Sequence, residues 1–406
     1  VKQLPNRIAV LIAVLVVLSQ LMLAGCWSRR EIEDLNIAVG MALDQAEGSK
    51  AEQKGKADGG NYPKENRYTS TYQVIPSLAQ GKGQSGGGST AQPKPYLNIS
   101  ETGSSIIQAV REVSLRTDRP LFGQHLKVIV VGESVASSSS LLESLDFILR
   151  EQEIRPSVLV FISKGRARNT LELRDKTEIP AFRLHGIARN QYRSNRILPP
   201  VSLTALSGKL HSDNSFLLQS LVSEGGGVKF SGAGIIEGKT DKLIGFLNEQ
   251  EVEGVTWISG KAKGGLVETF HEKTGRLIMY EMISMKSKIE PVVAGNRISF
   301  HVNIESTGRI AETSAEKEDA FKNAFLKRAE QATQKKVEQL VKQALDKMQK
   351  QSKVDVAGFG DELRIRYPQV WDNVKNDWDR TFSNVPITYN VKITVKEYGT
   401  KGVKKQ

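Results

Sequence analysis

The chain has 406 residues, 39% of them hydrophobic and 25% charged, and a formal net charge of +12. That length is more than one ordinary hydrophobic core absorbs, and the composition excludes a disordered polymer, so two or three folded domains are expected. A single cysteine excludes an internal disulfide framework.

Lys2 and Arg7 open the chain without an acid, and Ile8 to Leu23 then runs almost wholly apolar. Roughly sixteen residues are short for a spanning helix and fit the core of an export signal. The run ends in Leu23-Ala24-Gly25-Cys26, which reads as a lipobox. Small residues admit the peptidase at the Gly25–Cys26 bond, and the thiol then accepts a diacylglyceryl group. Residues 1–25 are therefore expected to be a removed lipoprotein signal peptide. Cleavage takes away two positive charges and no negative one, from +12 to +10. A basic, exported, membrane-tethered body is expected to lie against anionic headgroups and to have no nucleic acid partner.

Behind the anchor, Ile37 to Asp44 and Arg67 to Ile75 read as strands. Two segments poor in apolar residues, about 46–66 and 81–95, read as flexible insertions. A strand at Tyr96 to Ser100 leads to a helix from Gly103 to Arg116. His125 to Gly132 carries Val128-Ile129-Val130-Val131, a continuous run suited to a strand buried on both faces. A helix from Ser140 to Gln152 and a strand from Ser157 to Ile162 follow, and strand, helix, strand implies parallel pairing. Helical stretches at 181–192 and 203–210 flank Pro199-Pro200, where an N-terminal α/β domain, residues 26–200, is expected to end.

Strands dominate from Phe216: 216–222, 229–236 and 242–246, with a turn at Gly238 to Asp241. A helix covers 248–257, and strands near 266–271, 276–287 and 297–306 follow. Residues 201–272 are expected to form a strand-rich middle domain, and 273–406 a C-terminal α+β domain containing a long helix, 314–351. Thr313 and Glu316 have capping-box spacing, and Phe325, Ala329, Leu340, Val341 and Ala344 belong to one apolar stripe. Pro368 suits a first helical turn, Val370 or Trp371, then Val374, Trp378 and Phe382 recur at helical spacing, and Ile387 to Val395 alternates as a last strand. The fold class is thus α/β and α+β, multi-domain, with mixed sheets and flanking helices.

Catalytic motifs fail on context. Gly83-Gln84-Ser85-Gly86-Gly87 has the letters of a nucleophile elbow but sits in a Gly/Ser-rich loop. Gly238-Lys239-Thr240 resembles the end of a phosphate loop, yet Ala233 stands where the first glycine belongs and a strand follows, so it reads as a turn. His271-Glu272 lacks a second histidine, because position 275 is Gly275. His125, His185, His211, His271 and His301 are scattered, and no metal or catalytic residue is assigned. The acids Asp361, Glu362, Asp377 and Asp379 read as solvated helix faces.

Cys26-Trp27-Ser28-Arg29-Arg30-Glu31-Ile32-Glu33-Asp34-Leu35, His125 to Glu133 with Leu145 to Ile154, Gly232 to Trp257, and Asp355 to Gly399 with Gly358-Phe359-Gly360, Pro368, Trp371, Trp378 and Phe382 together resemble the Ger(x)C family, the lipoprotein C subunits of spore germinant receptors. The resemblance spans nearly the whole mature chain. It implies a three-domain α/β assembly without catalytic activity, lipidated at Cys26 and without cofactors beyond that lipid. It also implies a place on the outer face of the spore inner membrane with two membrane-embedded partners, A and B. The competing expectation is a solute-binding lipoprotein, which would need two similar lobes around a cleft, and no internal repeat supports that.

Overall fold

The computed structural model describes residues 31–46, 68–76, 94–175, 177–272, 275–313 and 323–398, with a few helical positions between 7 and 19. Gly25, Cys26, residues 314–322 and most of both expected insertions, with the Gly83 motif, lie outside these residues. Among the described residues no helix is long and apolar enough to cross a membrane.

The large sheet grows outward from β1, Asn36–Gln45. On one side it pairs antiparallel with β2, Tyr68–Ile75, which pairs antiparallel with β3, Leu97–Gly103. On the other it runs parallel to the short β4, Leu121–Phe122, and to β5, Val128–Gly132. The parallel run continues through β6, Leu159–Ser163, and β7, Phe216–Glu224. Then β8, Gly227–Glu237, and β9, Lys242–Leu247, close the sheet antiparallel. The apolar run in β5 divides as a doubly covered strand must: Ile129 and Val131 enter one core, Val128 and Val130 the other. Helices α1 (Ile106–Val113), α2 (Glu133–Ser138), α3 (Leu141–Arg150) and α5 (Leu203–Leu210) cover the first face. The second is covered by α4 (Pro180–Ile187) and the 3₁₀ turn Ala167–Leu171. α1 starts later than expected because the Ser105 side chain caps it, accepting from the Gln108 amide.

The second sheet is β10 (Gly265–Phe270), β11 (Leu277–Ala294), β12 (Arg297–Thr313) and β13 (Ile387–Tyr398), in that order. The first three are antiparallel, and β13 lies parallel to β12. A parallel pair needs a long crossover. Here it holds α7 (Asn323–Asp346), a π-turn (Lys347–Ser352), α8 (Phe359–Arg366), α9 (Pro368–Val374) and α10 (Trp378–Phe382).

Between the sheets lies α6, Glu249–Ser259, closed at its start by a capping box of Asn248 and Glu251 and at its end by Gly260 at φ 69°. Its Val252, Val255, Trp257 and Ile258 share one core with Leu217, Ala233 and Ile235 of the first sheet and with Leu340, Val341 and Ala344 of α7. The helices approach closely at Gly254, where a Cβ would stand 2.2 Å from the Leu340 carbonyl oxygen and 2.6 Å from Ala344 Cβ.

Sheet continuity bears on two of the expected divisions. Pro199-Pro200 interrupts no sheet, since β6 and β7 on either side pair at Ile162 with Ser220. Position 272 is the turn of the β10–β11 hairpin, where the Gly275 amide donates to the His271 carbonyl at 2.9 Å. The change of sheet falls across α6. Thr313 is the last residue of β12, its hydroxyl donating to the Leu277 carbonyl at 3.0 Å, and the expected capping box with Glu316 lies outside the described residues.

Candidate functional site

The end of the β7–β8–β9 meander meets α8, α9 and α10 across a cleft of about 1040 Å³. One wall is α5 with residues 213–217 and the turn after β8; the other runs from Asp355 through Arg364 and from Trp371 to Asp379.

Asp355 organises the second wall. Its buried carboxylate accepts at Oδ1 from the amides of Ala357 (3.1 Å) and Gly358 (2.9 Å), and at Oδ2 from the Gly360 amide (2.7 Å) and Trp378 Nε1 (3.0 Å). Four donors converge on one anion, the usual means of keeping a charge out of water. Gly358 stands at φ +97°, and a Cβ on Gly360 would lie 2.7 Å from Trp378 Nε1. The left-handed backbone at the first and the close approach at the second explain both glycines of Gly358-Phe359-Gly360. Phe359 between them is fully buried, its ring 5.1 Å from Phe300 of β12 and 5.3 Å from Phe382. Trp371 stacks edgewise on Trp378 at 5.3 Å. Trp371, Trp378 and Phe382 were visible as a helical stripe; Phe300 and Asp355 were not, because β12 arrives from far along the chain and a lone aspartate carries no periodic signal.

Polar bridges cross the cleft. Lys239 Nζ donates to the Asn376 carbonyl at 2.7 Å and lies 3.8 Å from Asp377. Asn214 Nδ2 donates to Asp361 at 3.4 Å, and Ser215 Oγ to Asp379 at 3.3 Å. Gly238-Lys239-Thr240 is the expected turn, yet its lysine spans to the other wall. Its Gly238 amide donates to Ser215 Oγ at 3.0 Å, and a Cβ there would meet the Asp213 carbonyl oxygen at 2.2 Å. Asp379 departs from its reading as a solvated acid. Burial raises its pKa, while the Asp355 amide, donating to Oδ1 at 3.2 Å, lowers it. Burial also lowers the pKa of Lys209, whose ammonium lies 5.4 Å from the Phe216 ring centroid; the Lys261 charge adds to this and Asp361 opposes it. Exposed bridges of this kind contribute about 0–1 kcal/mol each. The cleft therefore offers ammonium groups and hydrogen-bond donors for recognition of a polar partner, between walls joined there by weak contacts.

Of the other residues weighed from sequence, His301 bonds to Thr388 and Asn303 and His211 to the Ser207 carbonyl. Among the described residues no group of three or more His, Cys, Asp or Glu side chains is placed to hold a metal.

Two family profiles divide the chain between them. "Spore germination protein N-terminal domain" matches residues 28–222, and "Spore germination B3/ GerAC like, C-terminal" matches 231–399. The chain belongs to this spore germination family. Proteins similar to it include spore germination protein YndF of Bacillus subtilis (strain 168), 47% identical over 95% of this chain and 96% of that protein. Spore germination protein B3 of the same organism is 30% identical over 94% and 96%. The crystal structure of the GerBC protein aligns with a TM-score of 0.59 at 26% identity, covering 90% of this chain and all of that one. The Ger(x)C resemblance carried by Gly232 to Trp257 and Asp355 to Gly399 is thus met. The cleft is lined from both matched regions, residues 198–217 from the first and Lys239 with residues 355–379 from the second.

Proposed function

We propose that the protein is the non-enzymatic, lipid-anchored C subunit of a nutrient germinant receptor. In this reading the chain is cut between Gly25 and Cys26, diacylglyceryl-modified at Cys26, and held on the outer face of the spore inner membrane beside membrane-embedded A and B subunits. The observation that carries it is similarity along nearly the whole chain to spore germination proteins, including protein A3 of Bacillus subtilis (strain 168) at 31% identity, joined to a lone cysteine behind a charged start and an apolar run. Each buried methylene contributes about 0.8 kcal/mol, so two acyl chains suffice for lasting attachment.

The test is Cys26→Ala. Release of the protein from spore membranes, with the germination response falling to that of a strain lacking the gene, is expected. Retention and a normal response, or mass spectrometry of the mature N-terminus showing an unmodified sulfur, would refute the anchor. Affinity capture of the lipidated protein from spore membranes is expected to bring down two integral proteins. The solute-binding alternative draws only on the cleft, and it requires saturable calorimetric heat with a free nutrient.

A further inference from the structure

We propose that the end of the first sheet at which β1 begins rests on the bilayer, with Ile32, Leu97 and Leu115 entering the headgroup layer. The inference depends on acylation of Cys26 and takes its direction from covalent length. Five residues lead from Cys26 to Glu31, where continuous description begins. Fully extended they reach at most about 18 Å. A 3₁₀ turn, Ile32–Asp34, then feeds directly into Asn36 of β1. The lipid is thereby tied by a short leash to one end of a strand in the middle of the sheet.

The fold gathers other chain segments at that same end. The Asn36 amide donates to the Pro120 carbonyl at 3.0 Å, and Asn36 Nδ2 to the Arg119 carbonyl at 2.7 Å, which locks the segment after α1 to the start of β1. β3 runs in the direction of β1 and begins at Leu97, opposite Val74, while the neighbouring Ile75 faces Ile37. Each of these three segments carries a large apolar side chain turned to the outside. Ile32 is 66% exposed, Leu97 54%, and Leu115 at 85% is the most exposed large apolar residue described. The opposite end of β1 differs in kind. There Asp44 accepts from the amides of Ala167 (2.7 Å) and Arg168 (2.9 Å), and Glu133 accepts from that of Gly165 (3.0 Å). An apolar end beside the tether and a polar end away from it are what a body resting on lipid requires.

Charge at this end is mixed: Arg29 and Arg30 lie between Cys26 and Glu31 in the sequence and Lys94 is exposed just before Leu97, against several acids. Glu31, Glu33 and Asp34 are exposed on the same stretch as Ile32, and Arg116 is paired with Glu101 at 2.9 Å. With charges of both signs at this end, the orientation is carried by the three apolar side chains rather than by net charge.

Cys26 is the chain's only cysteine, and acylation consumes its sulfur, so one introduced cysteine gives a unique label site. The acylated mature chain is placed on phosphatidylcholine vesicles, with and without phosphatidylglycerol, carrying a fluorophore at Leu115→Cys, Leu97→Cys, Gln45→Cys or Phe270→Cys. Gln45 lies about 30 Å along β1 from Asn36. Phe270, 53% exposed on edge strand β10, is the competing apolar position. Quenching by a headgroup-level lipid quencher several-fold stronger at 115 and 97 than at 45 and 270, in both vesicle types, is expected. Equal quenching at 115 and 45, or stronger quenching at 270, while the protein stays on the vesicles, overturns the orientation and leaves the anchored-subunit reading intact. An unacylated Cys26, or a chain that washes off, overturns both.

Discussion

Asp355→Asn tests the logic of the cleft wall most directly. An amide keeps one oxygen and replaces the other with a donor. Turned one way it serves Ala357 and Gly358 and presents its NH₂ group to Gly360 N–H and Trp378 Nε1; turned the other way the pairs exchange. In either case two buried donors lose their acceptor, at about 1–3 kcal/mol each, and the remaining two bonds lose their charge assistance. The expected cost is about 4 kcal/mol, a large part of the roughly 5–15 kcal/mol that holds a domain folded. Urea unfolding followed by tryptophan fluorescence reads it, because Trp378 and Trp371 sit on the affected wall. With a slope of about 2 kcal/mol per molar, the midpoint should fall by about 2 M. The exposed neighbour is the control: Asp361→Asn should stay within about 0.5 kcal/mol. If the two variants unfolded at the same midpoint, Asp355 would not be the organiser of this segment.

Gly254→Ala should destabilise by about 1–3 kcal/mol, because its methyl would press on the Leu340 carbonyl and force α6 and α7 apart; a thermal midpoint equal to wild type would contradict the close approach. Asp379→Asn addresses pH. Burial raises the folded-state pKa of Asp379, so the stability this group contributes is fully present below the ordinary carboxylate range and lost as pH rises through the raised value. The variant should gain on wild type as pH rises toward neutrality, measured by paired urea midpoints; a deficit that grows with pH would refute the assignment.

Much of the architecture was legible because it is written locally. The doubly buried run Val128 to Val131, the turn at Gly238 to Asp241, Pro368 at a first helical turn and the apolar stripe through Leu340 and Ala344 all announce themselves within a few residues. Pairing with β11 carries β12 as far as Thr313, a length that the residues of β12 do not announce by themselves. The cleft was not legible. Its parts come from positions near 210, 239, 355 and 376, and nothing in any one of them signals the others.

By itself the sequence determined the apolar run ahead of a lone Cys26, the family to which the chain belongs, and which face of most strands and helices is turned inward. Periodicity reports burial because side-chain direction follows backbone period. Tertiary structure alone decided that β7, β8 and β9 extend the first sheet past Pro199-Pro200, that β13 returns to lie parallel to β12, and that Asp355 and Asp379 turn inward rather than toward water. Those outcomes depend on hydrogen-bond partners many residues away. A strand's own residues fix its need for a neighbour, and only the assembled chain fixes which neighbour meets it.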